Sequence, residues 1–417
     1  MTRIYFITIL ILLQLLTYRS FIRYLKTTKI YKPSYRIYSA IPFIIFNVSF
    51  ITISLVAGRH FDPPIWFKSY FMPPFYIWMG ATFFISLWLL IGKVIKLPFK
   101  LPIWIMKIFK PLREKIHAFS EKKHVRKVNH SRRQFVKYAT FAASSYAFIG
   151  AGYGVLKHDS FEITKKNIKI DNLPPELKGT TITLISDIHA GQYMNEKDMR
   201  EYADVLNELN SDIICIPGDF VNYQRDDVHS VAAAFRNLKA EHGIYGTLGN
   251  HDFFQEGNYV ADVLNSDSPI KMMRNCHVKI NIKGKDLFMI GIDDTISSGA
   301  KMETVLGFYN DMESYLYKNE KTFTNSPKIL LCHKPYGFDY LATKNLDLVL
   351  SGHTHGGQVV PFKMGNIHIS FAATVSKYID GHYKIGKANM YVSRGIGTVA
   401  LPIRINCPPE VTQITLV

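Results

Sequence analysis

The sequence predicts an α/β domain over residues 157–417, preceded by an all-α transmembrane region of about four helices over residues 1–156. Three observations carry this. The chain has 417 residues, too many for one ordinary domain. Long uncharged apolar runs are confined to its first third. Past residue 156, short β-branched runs alternate with stretches of helical period, the pattern of an α/β domain with buried sheets.

The charge divides at the same place. A formal net charge of +17 suggests nucleic acid as a partner at first sight. Residues 1–156 carry 23 Lys and Arg against 3 Asp and Glu, whereas residues 157–417 carry 27 against 30. The basicity therefore belongs to the apolar third, and no nucleic-acid partner is expected.

Four segments read as spans. Residues 37–57 and 70–92 are uncharged over 21 and 23 residues, enough to cross a bilayer as a helix. Residues 4–18 form a shorter run, and residues 138–156 are uncharged and rich in Ala and Gly. Residues 19–36 carry six basic residues and no acid, residues 58–69 only Arg59 and Lys68 against Asp62, and residues 96–137 carry 13 basic residues. Basic, poor, basic is the alternation of inside, outside, inside. It places residues 157–417 outside the membrane, after basic cytoplasmic loops. No small-residue cleavage site follows residues 4–18, so that run reads as an anchor. Residues 96–110 either lie along the membrane surface or form the ragged end of the third span. The stretch SRRQFVK, residues 131–137, resembles a twin-arginine export signal, which implies transport of an already folded domain.

In the second part, SFEITKKNIKI reads as a half-buried strand and NLPPELKG as a turn-rich connector. Asn195 is placed to cap a helix carrying Met199, Tyr202, Leu206 and Leu209 on one face. Val228, Val231, Phe235 and Leu238 mark a second helix. Cys215, Cys276, Cys332 and Cys407 have no zinc spacing, and a Cys276–Cys407 disulfide stays open.

The ends of the apolar runs carry the chemistry. TITLIS leads to Asp187 and His189, DIICIPG to Asp219, and GIYGTLG to Asn250, His251 and Asp252. KILLC leads to His333, and LDLVLSG to His353 and His355. In α/β folds, ligand sites gather at the carboxyl ends of strands, so five such endings imply one shared rim. Imidazole and carboxylate together suit Zn, Fe or Mn, with Asn adding a carbonyl oxygen. Four histidines besides His251, two aspartates and one asparagine exceed one tetrahedral site with an open position. They fit two ions if one carboxylate bridges, an arrangement suited to in-line phosphoryl displacement. Gly218, Gly249 and Gly352 each precede a candidate, where the strand must turn sharply. Asp293 and Asp294 read as structural, and His229, His242 and His277 as solvated surface.

The motifs SDIH, PGDF, GNHD, a CH after an apolar run, and GHTHGG occur in the order of the calcineurin-like metallophosphoesterase superfamily. The chain resembles that family over about residues 173–417. Its closing stretch further resembles the membrane-anchored or exported bacterial subgroup. The resemblance implies a two-sheet β-sandwich flanked by helices. It implies that Asp187, His189 and His355 bind one metal, that Asn250, His333 and His353 bind a second, and that Asp219 bridges. His251 would serve the leaving oxygen, with Asp252 orienting it. Asn222 and Lys334 depart from the family's usual residues. Lys334 reads either as a contact to an anionic substrate or as surface, and Arg394 as facing the site or in a structural ion pair.

The expected function is hydrolysis of a phosphoester or pyrophosphate bond at the outer face of the cell membrane by a dinuclear centre of Mn, Fe or Zn. A lipid-linked phosphate is the attractive substrate, and membrane lipids are the expected surroundings. Competing readings are a phosphodiesterase on soluble or cell-wall phosphodiesters, and a membrane receptor or scaffold that keeps the fold without catalysis.

Overall fold

The computed structural model describes residues 2–56, 67–295, 302–364 and 367–417. The chain divides into two compact units, Met1–Leu156 and Lys157–Val417.

The first unit is helical, with α1 (Thr2–Leu25), α2 (Tyr35–Val56), α3 (Met72–Met106), α4 (Lys110–Glu121) and α5 (Lys123–Leu156). Its polarity is inverted relative to a water-soluble bundle. Ile44, Val48, Trp88, Ile95 and Ile149 are exposed, whereas Gln14, Thr17, Thr82 and Ser86 are buried. The Gln14 Oε1 accepts from Asn47 Nδ2 at 2.7 Å, and the Thr17 and Ser86 hydroxyls lie 2.7 Å apart. Small residues let α3 and α5 approach, with Ala81 packed among Ala147 and Ala151. Hydrogen-bonding groups inside and apolar groups outside suit a lipid surrounding. Among the described residues, Thr8–Leu25 and Met72–Met106 are long and apolar enough to cross a membrane. α2 and α5 cover the other two expected spans as helices. Ala57 and most of the charge-poor segment 58–69 lie outside the described residues.

The basic stretch 96–137 is largely helical. α3 continues to Met106, so residues 96–106 extend the third apolar helix, and α5 begins at Lys123 and contains the SRRQFVK stretch. Lys, Arg and Gln are good helix formers, and no glycine interrupts the segment.

The second unit is built on two six-stranded sheets. The first contains β1 (Glu162–Ile168), β2 (Thr181–Leu184), β3 (Ile213–Pro217), β4 (Ile244–Thr247) and β5 (Ile270–Met272). The second contains β6 (Cys276–Ile282), β7 (Lys285–Ile292), β8 (Lys328–Cys332) and β9 (Leu348–Ser351). A short hairpin, β10 (Phe362–Met364) and β11 (Ile367–Ile369), precedes β12 (Gly381–Ile385) and β13 (Ala388–Val392), which complete the second sheet. The final strand, β14 (Glu410–Leu416), returns to the first sheet between β1 and β2, so the orders are β1-β14-β2-β3-β4-β5 and β12-β13-β9-β8-β7-β6.

The period-two side-chain direction of a strand sorts each buried run into two cores. In β3, Ile213 and Cys215 face the space between the sheets, while Ile214 and Ile216 face helices. In β8, Ile329 and Leu331 face inward, and Leu330 and Cys332 face outward. The outer core of the first sheet is closed by α6 (Glu196–Glu208), α7 (Val228–Phe235) and α9 (Gly257–Asp267), with the short α8 (Asn250–Phe254) between the last two. The second sheet is covered by α10 (Glu303–Asn319) and α11 (Phe338–Leu341). The result is the expected α/β sandwich flanked by helices. Asn195 caps α6 as expected, accepting from the Lys197 and Asp198 amides in a reciprocal capping box. All four cysteines are free thiols, which closes the Cys276–Cys407 alternative.

Candidate metal centre

β2, β3 and β4 run parallel, as do β7, β8 and β9, so their carboxyl ends open onto one rim in each sheet. The residues that follow β2, β3 and β9 have little room. Asp187, His189, Asp219, His353 and His355 all adopt positive φ, between 50° and 72°. Non-glycine residues rarely occupy that region, and clusters of them mark places where the surrounding structure imposes the conformation. The glycines beside them are held by contact. A Cβ on Gly352 would lie 2.3 Å from Asp187 Oδ2, and one on Gly249 2.2 Å from Asp219 Oδ1.

These turns bring together Asp187, His189, Asp219, His333, His353 and His355, with His251 beside them. Three overlapping groups have ligand atoms within 4.8 Å of one another: Asp187, His189 and His355; His189, Asp219 and His251; and Asp219, His333 and His353. The Asp219 Oδ2 lies 3.2 Å from His333 Nε2 and 3.5 Å from His189 Nε2. His355 Nε2 lies 3.0 Å from His189 Nε2 and 3.6 Å from Asp187 Oδ1. His353 Nδ1 is 3.2 Å from His333 Nε2. The tautomer of His333 follows from its neighbour: its Nδ1 donates to the Pro217 carbonyl at 2.7 Å, which turns Nε2 toward the cluster.

The electrostatics of so dry a cluster are extreme. Burial pushes the Asp187 carboxyl up to about 6. For Asp219, burial raises the carboxyl, but the adjoining His333, His189 and His251 prevail and hold it well below the usual range. Burial opposes charge on His333, yet Asp219 beside it lifts the imidazole to about 10. Burial lowers His189 to about 3, and takes His353 and His355 well below their ordinary value. Two buried carboxylates and a ring of imidazoles, four of them turned into one space, form a site complementary to cations. The donor set fits divalent ions of the Mn, Fe or Zn type. Asn250 supports that fit, because its buried Oδ1 has no hydrogen-bond partner among the described residues.

One expected role is corrected. Asp252 makes no hydrogen bond to the His251 ring. Its Oδ2 accepts from the Asp219 and Gly249 amides at 2.9 Å each, and its Oδ1 from the Phe220 and Val221 amides at 2.8 and 3.1 Å. All four bonds go to backbone, so the carboxylate shapes the turn that carries Asp219. The His251 ring is held instead at Nδ1, 3.3 Å from the Asn222 carbonyl oxygen. A backbone acceptor of this kind has no signature in the sequence. Ser186 also escaped notice; its hydroxyl donates to Asp187 Oδ2 at 2.5 Å.

The remaining alternatives resolve into structure. Lys334 is buried and paired with Asp294 at 2.9 Å, and Asp293 with Arg274 at 2.6 Å. Arg394 pairs with Glu162 at 3.0 Å and Glu410 at 3.3 Å. Behind Asp187 sits a second unanticipated residue, the buried Arg404. It donates to the carbonyls of Arg394, Gly395 and Cys407 at 3.0–3.1 Å, and also to that of Gly397. The loop it gathers contacts the metal-site turn directly, with the Gly397 amide donating to Asp187 O at 2.8 Å.

A helix-flanked two-sheet sandwich with convergent Asp and His side chains at the carboxyl ends of its parallel strands defines a class of protein suited to holding metal ions. Comparison with known proteins specifies it further. Residues 180–357 match the family model of the calcineurin-like phosphoesterases. The chain is 30% identical over 295 residues to the uncharacterized metallophosphoesterase YkuE of Bacillus subtilis, which covers 69% of this chain and 97% of that protein. It is 32% identical over 266 residues to a transmembrane protein with metallophosphoesterase domain from Danio rerio, covering 61% of this chain and 57% of that one. An uncharacterized metallophosphoesterase of Helicobacter pylori is 30% identical over 257 residues, 64% of its length. The chain thus spans less than two thirds of the last two relatives. It belongs to the calcineurin-like metallophosphoesterase family.

Proposed function

We propose that the protein is a membrane-anchored phosphoesterase with a dinuclear centre, acting at the outer face of the cell membrane on the phosphoester or pyrophosphate of a lipid-linked phosphate. The observation that carries this is the sharing of Asp219 between two ligand clusters, one with His189 and one with His333 and His353. In this reading Asp187, His189 and His355 hold one ion, Asn250, His333 and His353 hold the other, and Asp219 bridges. Two bound divalent ions of Mn, Fe or Zn supply Lewis acidity and a clamp of positive charge for a phosphoryl group. The protein's own residues do the rest. Ser186 and the His353 amide orient the Asp187 carboxylate, and Pro217 fixes the His333 tautomer. His251, partly exposed and steadied by Asn222, donates a proton to the leaving oxygen.

Four membrane spans, basic cytoplasmic segments and an outward catalytic unit belong to the same proposal. They are supported by the charge alternation and by the inverted polarity of the helical unit. Arg132 and Arg133, ahead of the last apolar stretch, are consistent with export of a folded unit. The convergence of Asp187, His189, Asp219, His333, His353 and His355 supports catalysis over a scaffold that keeps only the fold.

The test uses the full chain in detergent, loaded with Mn²⁺, Fe²⁺ or Zn²⁺, against an aryl phosphodiester, a nucleotide sugar and a lipid pyrophosphate. Turnover of the lipid pyrophosphate is expected to be the fastest; turnover restricted to soluble diesters would overturn the lipid assignment. Asp219→Asn is expected to lose metal and turnover together. Retention of both ions by that variant would remove the bridge from the proposal.

A further inference from the structure

We propose that the exposed apolar face of the β10–β11 hairpin, which borders the metal centre, seats on the surface of a lipid bilayer. The hairpin is two-faced. Phe362 stands opposite Ile369 in its register, and Lys363 opposite His368. Opposed residues of an antiparallel pair share a face. The Lys363–His368 face is held by Asp380, at 3.0 Å from Lys363 Nζ and 3.4 Å from His368 Nε2. That anchorage directs the other face outward, where Phe362 is 47% and Ile369 58% exposed. The chain beyond continues the same character, with Phe371 at 54% and Val375 at 58%. Four large apolar side chains presented by one short segment make an unfavourable surface in water, and such patches mark interaction sites.

The patch adjoins the chemistry. Ser370 lies against Gly357, two residues past His355: a Cβ on Gly357 would come within 2.6 Å of Ser370 Oγ. On the His251 side, the half-exposed Phe254 packs edge-on to the imidazole at 5.8 Å between ring centroids. The segment carrying the patch thus touches the loop of His355, and on the other side Phe254 touches His251. The occupant is assigned as a bilayer because the same chain carries two helices long and apolar enough to cross one, which keeps lipid within permanent reach. Phe, Ile and Val beside a lysine is also the composition of segments that lie in the headgroup boundary. A docked hairpin would hold the cluster at the depth of lipid phosphates, which deepens the lipid reading proposed above and rests on it only for the substrate.

Two measurements test this on the full chain in nanodiscs of phosphatidylcholine and phosphatidylglycerol. In the first, Ile369→Trp is compared with the unaltered chain in discs containing acyl-chain-brominated phosphatidylcholine. The added emission is expected to be blue-shifted and quenched by the bromines. Added emission that ignores the bromines would overturn docking, whether aqueous iodide quenches it, as for a free face, or not, as for a face covered by another copy or a protein. This readout needs no activity, so it stands whether or not the lipid phosphate is the substrate. In the second, Phe362→Ser with Ile369→Ser is expected to slow hydrolysis of a bilayer-embedded lipid phosphate by about tenfold or more, as loss of apolar burial of two side chains predicts. Hydrolysis of a soluble aryl phosphodiester should stay within about twofold of the unaltered chain. Equal slowing of both substrates, or of neither, would count against the proposal.

Discussion

Gly249→Ala isolates the role of close packing around Asp219. Gly249 has φ −97° and ψ 178°, extended backbone open to any residue, so an added methyl carries no conformational penalty of its own. Its effect is steric. The new Cβ would stand 2.2 Å from Asp219 Oδ1, 2.6 Å from Asp219 N and 2.8 Å from Asp219 Cγ, where real Cβ contacts below 3.0 Å essentially never occur. The carboxylate or the turn must give way by roughly 1 Å to restore ordinary contact. Neither can move freely. Asp219 Oδ1 accepts from the His251 amide at 2.8 Å, and the Gly249 and Asp219 amides are tied to Asp252 Oδ2. Overpacking of this kind costs about 1–3 kcal/mol of stability, and a 1 Å misplacement of a catalytic constellation lowers rate about 10²-fold. The assay is metal content by mass spectrometry, thermal melting, and aryl phosphodiester turnover of the full-length variant. Gly307→Ala, where an added Cβ meets nothing within 4 Å, serves as control and should change neither metal nor rate. Full metal occupancy with unaltered turnover in Gly249→Ala would refute the idea that this turn holds the ligand set by contact.

Three more outcomes follow from the same geometry. His333, lifted to about 10 against burial by Asp219, is protonated at neutral pH, and an imidazole must be neutral to bind metal. Metal loading at pH 7–8 should therefore release about one proton from this site, and affinity should rise with pH toward 10; calorimetry in two buffers of different ionisation enthalpy reads it, and proton-free loading would contradict it. His251→Ala should leave metal content unchanged and slow substrates with poor leaving groups by about 10²–10⁴, with a far smaller effect on nitrophenyl esters. Loss of metal instead would make His251 a ligand, since its ring lies within reach of His189 and Asp219. Asp252→Ala strands four buried backbone donors and should lower stability by about 1–3 kcal/mol or more, measured by thermal melting. An unaltered melting temperature with lost acid catalysis would restore Asp252 to the orienting role.

Much of the site is legible in the sequence because its donors are local. Each sits immediately after an apolar run, and a parallel sheet exposes such positions on one rim. The same locality reveals the cap at Asn195 and the two-sided burial of β3 and β8. The role of Asp252 is not legible, for the opposite reason. Sequence adjacency to His251 suggested a pair, but one turn of helix sends adjacent side chains in different directions, and the carboxylate finds four amides from two separate loops. The charge of the segment before residue 138 marks a connection between apolar runs but does not set its conformation; Lys and Arg are helix formers, and α3 and α5 extend into it.

By itself, then, the sequence distinguished an apolar, basic part from an α/β part, two of its helices, and the Asp, His and Asn residues that end its apolar runs. These follow from hydrophobic periodicity, turn chemistry and charge, which act over a few residues. Only the tertiary structure decided that Asp219 stands between His189 and His333, that Asn222 offers its carbonyl to His251, that Arg404 gathers the loop behind Asp187, and that Phe362 and Ile369 face outward beside the site. Those relations join segments far apart in the chain, and they depend on the register of two sheets packed face to face, which no local pattern encodes.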